Sequence, residues 1–450
     1  MTARHVAVVG GGLAGITAAL RCVDAGYAVT LFEARPRLGG LTHSFQRDGL
    51  WIDNGQHVFL RCCTSYQSLL ERLGVSDRVT VQDRLDVPVR SELDTRGGRL
   101  RRTALPAPLH LGSTLARYRW LRPAARARVV SAALALARVD RTDPEVDRRS
   151  FGDWLTAHGQ DARAIETVWN LIGIATLNAP AERASLALAA TVFQIGLLDS
   201  APSADIGWSL VPLQELHGDA GSSALVAAGV TVRTRYKVRR LVQTADGWAV
   251  DGAAFDDVVL AVPPSAAEAL APAEAIDLEP GWAAELGSTP IVNLHVVYDR
   301  VVLDQPFVAA VDSPLQWVFD RTRQAGLTQG QYVAASLSAA DDLIDEPVSE
   351  LRDRFLPHLR RLLRITPETR VLEFFVTRER EATFRQRPGT VGLRASAGTA
   401  LPGLYLAGAW TDTGWPATME GAVRSGEAAV AALVDSSPAD RPSGRREAVV

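Results

Sequence analysis

The sequence predicts an α/β protein in which a Rossmann-like domain, discontinuous along the chain, is interleaved with a mixed α+β domain. Three observations carry that expectation. The chain opens on an apolar run, a glycine-spaced loop and an amphipathic helix; short apolar strands adjoining helices return after long intervals; and the stretches between them read as helices and strands rather than linkers.

Val6, Ala7, Val8 and Val9 read as a buried parallel strand, and Gly10, Gly12 and Gly15, with Leu13 and Ala14 between, supply G-x-G-x-x-G at a helix start. The first glycine serves a tight turn, the second close approach of a pyrophosphate, the third close packing of helix on strand. Helix N-terminal amides then face the anion. The helix runs through Ala18, Ala19 and Leu20 and ends at Gly26. A second strand over 28–32 delivers Glu33 and Ala34, where a carboxylate can accept both ribose hydroxyls. Beyond Glu33 come Arg35, Arg37, Gly39, Gly40, Leu41 and Thr42. This E-x-x-x-x-x-G-G extension resembles that of the FAD-binding amine oxidase and polyene desaturase superfamily (GR2-type), where the paired glycines let the chain pass close to the flavin phosphates. The resemblance implies FAD; the competing reading of the residues is a nicotinamide site followed by a Gly-Gly turn.

Composition fits a large globular enzyme. With 450 residues, 47% hydrophobic and 22% charged, the chain can bury two cores and is not disordered. A net charge of -3 and a pI near 6.3 give no basic field, so no nucleic-acid partner is expected. Cys22, Cys62 and Cys63 are odd in number and lack ligand spacing, so neither a disulfide framework nor a metal site is expected. With no cysteine after Cys63, a thioether to the flavin from the C-terminal third is excluded. No cleavable apolar leader is read at the N-terminus, and a cytoplasmic location is expected.

The expected order is FAD-binding parts at 1–89, 205–276 and 394–436, substrate-domain parts at 90–204 and 277–393, and a disordered Ser-, Pro- and Arg-rich tail at 437–450. Residues 224–240, a helix ending at Gly229, a strand and then Val238, resemble the superfamily segment that frames the adenine. Residues 258–264 read as a strand rejoining the sheet after a hairpin turned at Asp246 and Gly247. Residues 404–429, with Gly408, Ala417, Thr418, Met419 and Ala422, carry the most specific match. In the superfamily this helix start points at the flavin pyrimidine, where its dipole favours reduced flavin. Relatives carry an acidic residue where this chain has Ala409, so that contact is lost or passed to Asp412.

The intervening stretches point to a greasy ligand. Residues 169–198 are nearly uncharged apart from Glu182 and Arg183, with Pro180 beside them; neither half is long enough to span a membrane, leaving a buried helical pair or a tunnel wall. Residues 101–141 place Arg117, Arg119, Arg122, Arg126 and Arg128 among Leu111, Leu115, Tyr118, Trp120, Leu121, Val129, Val130 and Leu134, a pattern suited to an interfacial membrane anchor or to a helix packed on its own domain. In 277–393, strands over 291–298 and 332–337 and a helix over 347–363 are expected.

Asp53, Asn54, Gly55, Gln56, His57, Val58 and Phe59 read, from the residues alone, as a turn with an ordinary core histidine. In the superfamily this turn lies against the flavin, and G-Q-H-V-F resembles the G-x-H-x-F of plant-type carotenoid desaturases. Together with residues 204–220 and the C-terminal segment, it resembles the hydroxysqualene dehydroxylase (squalene-associated FAD-dependent desaturase) family. The resemblance implies replacement of an allylic hydroxyl by hydride on a polyprenyl (C30 isoprenoid) substrate, with Gly55, Gln56 and His57 at the flavin and Asp53, His57 or Glu420 as the acid. Asp53 as a cap of its own turn and Glu420 as a helix-start residue stay open. Glu215, His217 and Asp219 form a further polar cluster, equally explained by a loop on the adenine side. No second dinucleotide fingerprint is visible, so the electron donor is unidentified. A carotenoid desaturase, an amine oxidase and a non-enzymatic prenyl-lipid escort are the rival functions.

Overall fold

The computed structural model describes residues 3–436, and the tail expected at 437–450 lies outside them. β1 (His5–Val9), β2 (Ala28–Phe32), β3 (Thr231–Arg233), β4 (Asp257–Leu260) and β5 (Leu404–Leu406) form an all-parallel sheet in the order β3-β2-β1-β4-β5. The apolar runs of β1 and β4 are buried on both faces, as a sheet covered on both sides requires. α1 (Leu13–Asp24) returns the chain to β2 through Gly26, whose φ of +89° suits a residue without Cβ. α2 (Thr64–Arg72) and α3 (Met419–Ser436) complete this layer. α3 lies so close to α1 that a Cβ on Gly426 would stand 2.4 Å from the Ala14 carbonyl oxygen.

A second, seven-stranded sheet runs Val371–Phe384, Ser288–Tyr298, Gln331–Ser338, Trp317–Asp320, Phe307–Val311, Asp86–Ser91, Gly98–Arg101. Its pairings are antiparallel except that between Phe307–Val311 and Asp86–Ser91. The strand Asp86–Ser91 straddles the boundary expected at 89, so the first insertion begins a few residues earlier than composition indicates. Helix Val348–Leu363 turns Leu351, Phe355, Leu359 and Leu362 onto this sheet. Residues 169–198 fold as a helical pair, Asn170–Leu177 and Leu186–Phe193, each joined to a π-helical turn, Ile165–Trp169 and Gln194–Leu198; the second helix is buried throughout, the first only at Leu171, Gly173 and Leu177.

In residues 101–141 the aromatic side chains pack on their own domain. Tyr118, Trp120, Leu121 and Val129 are buried at 2%, 9%, 3% and 2% exposure. Tyr118, Trp120 and Leu121 lie in the turn between the helices Gly112–Arg117 and Pro123–Leu136 and fold inward with Val129, while Arg117, Arg122 and Arg128 face outward. The apolar side chains left outside are Leu105, Leu109, Val130 and Leu134.

Candidate active site

The glycine loop builds a cradle. Gly10 N donates to Phe32 O (2.8 Å) and Gly39 N to Gly11 O (2.9 Å), tying the first loop to the Gly39–Gly40 turn. A Cβ on Gly40 would lie 2.9 Å from Gly12 Cα, whereas one on Gly12 would meet nothing nearer than Gly40 Cα at 3.7 Å. Gly12 therefore borders open space, and Gly15 fills the packing role, since its Cβ would sit 1.9 Å from Gly10 O. Leu13 and Ala14 form the buried first turn of α1. Glu33 sits at the end of β2; its Oε2 accepts from Gly11 N and its Oε1 from Arg35 N, both at 2.7 Å. Ala34 and Arg35 are exposed, Leu41 is exposed, Thr42 is buried with its hydroxyl on Gly39 O, and Val238 is buried.

Asp53 closes the strand Leu50–Asp53, and the turn after it is held from behind. Asp53 Oδ1 accepts from Ser44 Oγ (2.6 Å) and Leu213 N (3.1 Å), and its Oδ2 is ion-paired with the buried Arg321 guanidinium. The Asn54 carbonyl accepts from Thr377 Oγ1 (3.1 Å) and Asn293 Nδ2 (3.3 Å), both from the second sheet. Thr377 has one hydroxyl hydrogen and gives it to Asn54, so it accepts from His295 Nε2 (2.9 Å); His295 Nδ1 is then left to accept from Tyr332 OH (2.6 Å). Burial pushes His295 down to about 3.

His57 carries its proton on Nδ1, because the contact at 3.1 Å is to the Gly55 carbonyl, which can only accept; Nε2 has no protein partner. Burial, above all, lowers its pKa below the usual histidine value, partly offset by the Gly55 carbonyl and Asp53. Asp53 makes no hydrogen bond to the imidazole and acts on it through charge. Both polar atoms of the Gln56 amide are buried with no partner, as is Asn293 Oδ1.

Glu420 has both carboxylate oxygens committed. Oε2 accepts from Tyr66 N (2.7 Å), and Oε1 from Ser65 N (3.2 Å) and Arg424 Nε (2.7 Å). It caps α2 from α3, which is the structural alternative, and is not free to protonate a substrate. Asp412 is exposed and accepts from Gly414 N in its own loop (3.3 Å), so it does not take over the acidic contact missing at Ala409. Thr418 Oγ1 accepts from Gly421 N (3.1 Å) at the start of α3, Ala417 N donates to Gln386 Oε1 (3.2 Å), and Met419 and Ala422 pack on the core beneath the nucleotide sheet. The cluster Glu215, His217, Asp219 is dispersed: Glu215 pairs with Arg78, Asp219 accepts from Gln214, and His217 is buried against Tyr66 OH at 2.8 Å.

Sequence reasoning missed Arg321, Asn293, Thr377 and Arg394. Arg394 is buried and donates to the carbonyls of Trp410 (3.2 Å), Thr411 (2.5 Å) and Trp415 (2.8 Å), shaping the loop that starts at Gly408. Burial lowers its pKa to about 10. No sequence signal pointed to Arg321, because the burial of Asp53, which calls for a cation, is itself a property of the fold.

These residues fit FAD: a cradle that a Gly12 side chain would fill, a carboxylate at the second strand end, and an unpaired buried amide at Gln56 that a ring with its own donors and acceptors would satisfy. The chain belongs to the flavin containing amine oxidoreductase family, whose model matches residues 13–434, and is an FAD-dependent oxidoreductase. Among its relatives, a hydroxysqualene dehydroxylase of Sinorhizobium fredii (strain NBRC 101917 / NGR234) is 27% identical over 95% of this chain and 97% of that protein. One of Zymomonas mobilis subsp. mobilis is 26% identical over 95% and 98%. A probable zeta-carotene desaturase of Synechococcus elongatus is 25% identical over 96% and 99%. A putrescine oxidase structure bound to putrescine superposes with a TM-score of 0.70 at 20% identity, covering 96% of this chain and 99% of that one; it shows the fold alone.

Proposed function

We propose that the protein reductively dehydroxylates hydroxysqualene to squalene at the inner face of the cell membrane. One observation carries the assignment. Of Asp53, Glu420 and His57, only His57 keeps an uncommitted hydrogen-bonding atom, Nε2, in a turn beside the unpaired Gln56 amide. Loss of an allylic hydroxyl needs a proton donor, which desaturation of a hydrocarbon does not. Burial makes the His57 imidazolium a stronger acid while reducing its population at neutral pH. The full-length likeness to dehydroxylases supports the same reading. When bound, reduced FAD would supply the hydride. The protein positions Gln56 and His57 through Asn293, Thr377 and Arg321, and the apolar helices Asn170–Leu177 and Leu186–Phe193 would help exclude water that could recapture an allylic cation.

The electron donor is a separate, unidentified partner. No helix of the described residues is long and apolar enough to cross a membrane, so access to a polyprenyl substrate is proposed through peripheral contact at residues 101–141. The test is anaerobic incubation of reduced protein with hydroxysqualene, followed by product analysis. Squalene formation is expected; dehydrogenation of phytoene or zeta-carotene by the oxidised protein, with hydroxysqualene untouched, would instead establish the desaturase reading that the cyanobacterial relative favours.

A further inference from the structure

Away from the flavin cradle, the hairpin Asp86–Ser91/Gly98–Arg101 and the helix Gly112–Arg117 enclose a cleft of about 520 Å³. Its walls carry Arg84, Arg99, Arg101, Arg102, Arg117 and Arg119, and no acidic side chain. Asp86 serves Arg99 and Arg101; Asp205 serves Arg102 and also Arg61; Asp94 serves Arg119 and also Arg96. Arg84 and Arg117 are exposed and have no hydrogen-bonding or acidic partner among the described residues. The cleft thus holds more cationic charge than its carboxylates neutralise. A second observation points to an anion: Trp120, which lines the cleft at 9% exposure with its ring against Gly98, has a buried indole N–H without an acceptor. Leu105, exposed at 53%, follows directly on the wall residue Ala104, and Leu109, exposed at 61%, lies four residues further along the same loop.

We infer that this cleft binds the phosphate of an anionic lipid headgroup. Guanidinium forks match phosphate oxygens, the indole N–H supplies a further donor, and the neighbouring leucines suit the interface beside a headgroup. The inference rests on the membrane-surface reading and deepens it by naming the site and the chemistry it recognises.

The experiment is co-sedimentation of the full-length holoprotein with phosphatidylglycerol vesicles and with phosphatidylcholine vesicles, with inorganic pyrophosphate as soluble competitor. Binding to the anionic vesicles, displaced by pyrophosphate, is expected to weaken on the order of 30-fold in Arg84→Ser/Arg117→Ser. Trp120→Phe, which keeps the ring, is expected to weaken it a few-fold. Arg122→Ser/Arg128→Ser, on the outer face of the next helix, is the control. Equal losses in the two double variants, or no loss in the first, overturn the cleft while leaving the membrane-surface reading standing. A wild type that ignores both vesicles overturns both. Pyrophosphate binding without vesicle binding overturns the lipid assignment in favour of a soluble phosphate ligand.

Discussion

Arg321 and Asp53, 268 residues apart in sequence, form an ion pair whose side chains are only 7% and 4% exposed. The pair fixes the strand end from which the turn Asn54–His57 departs, with Ser44 and Leu213 completing the carboxylate's contacts. Asp53→Asn leaves a buried guanidinium uncompensated, at a cost of about 3–5 kcal/mol. The expected outcome is a lowered melting temperature together with lost flavin, rather than a purely catalytic defect. Asp53→Leu/Arg321→Met is expected to recover most of the stability, because replacing both charges removes the desolvation problem. Differential scanning calorimetry checks both; an Asp53→Asn protein as stable as wild type refutes the buried-pair argument.

Gly12 and Gly15 should fail differently. Gly12→Ala has room in the protein and is expected to give a folded apoprotein without yellow colour, since the new methyl occupies the cradle. Gly15→Ala collides with the Gly10 carbonyl and is expected to lose folded protein altogether. Circular dichroism beside flavin absorbance separates the two outcomes.

His57→Phe is expected to keep FAD and lose about 10² to 10⁴ in turnover, the usual worth of a general acid. The acidic form is the active one here, so turnover falls as pH rises, with an inflexion below 6.5 because burial lowers the pKa. The same limb should vanish in the variant. A pH–rate profile on flavin-normalised enzyme is the measurement, and an unchanged limb places the acid elsewhere.

Glu420→Gln removes the charge that holds the Ser65 and Tyr66 amides and Arg424. A loss of about 1–3 kcal/mol in stability is expected, with turnover per bound flavin close to normal. Thermal unfolding and single-turnover kinetics test the two halves of that statement.

Acid should unfold the protein through His217 and His295, both buried neutral with pKa values near 3 against about 6.5 in the unfolded chain. Between those values the unfolded state binds more protons, so their contribution is present above pH 6.5 and is lost as pH falls toward 3. By pH 5 each accounts for about 2 kcal/mol. His295→Gln is expected to flatten the fall in melting temperature between pH 7 and pH 5.

What the sequence disclosed follows from locality. Gly10, Gly12, Gly15, Glu33 and the helix start at Met419 were legible because their work is done within a few residues of backbone, where spacing is the geometry. Arg321 and Arg394 were not legible, because each meets its partners only after the chain has folded back across sheets. Trp120 and Tyr118 were ambiguous for a related reason: arginine interleaved with aromatics looks alike whether the rings face lipid or core, and here a turn between two helices folds the rings inward.

The strand order β3-β2-β1-β4-β5 sets a timetable for biosynthesis. β1 and β2 emerge early from the ribosome, yet one edge of their sheet waits for residues 231–233 and the other for 257–260 and then 404–406. Until residues 404–406 have been made, β4 stays an unpaired edge, so polypeptides that stop short of Leu404 are expected to be more prone to aggregate than the longer chain.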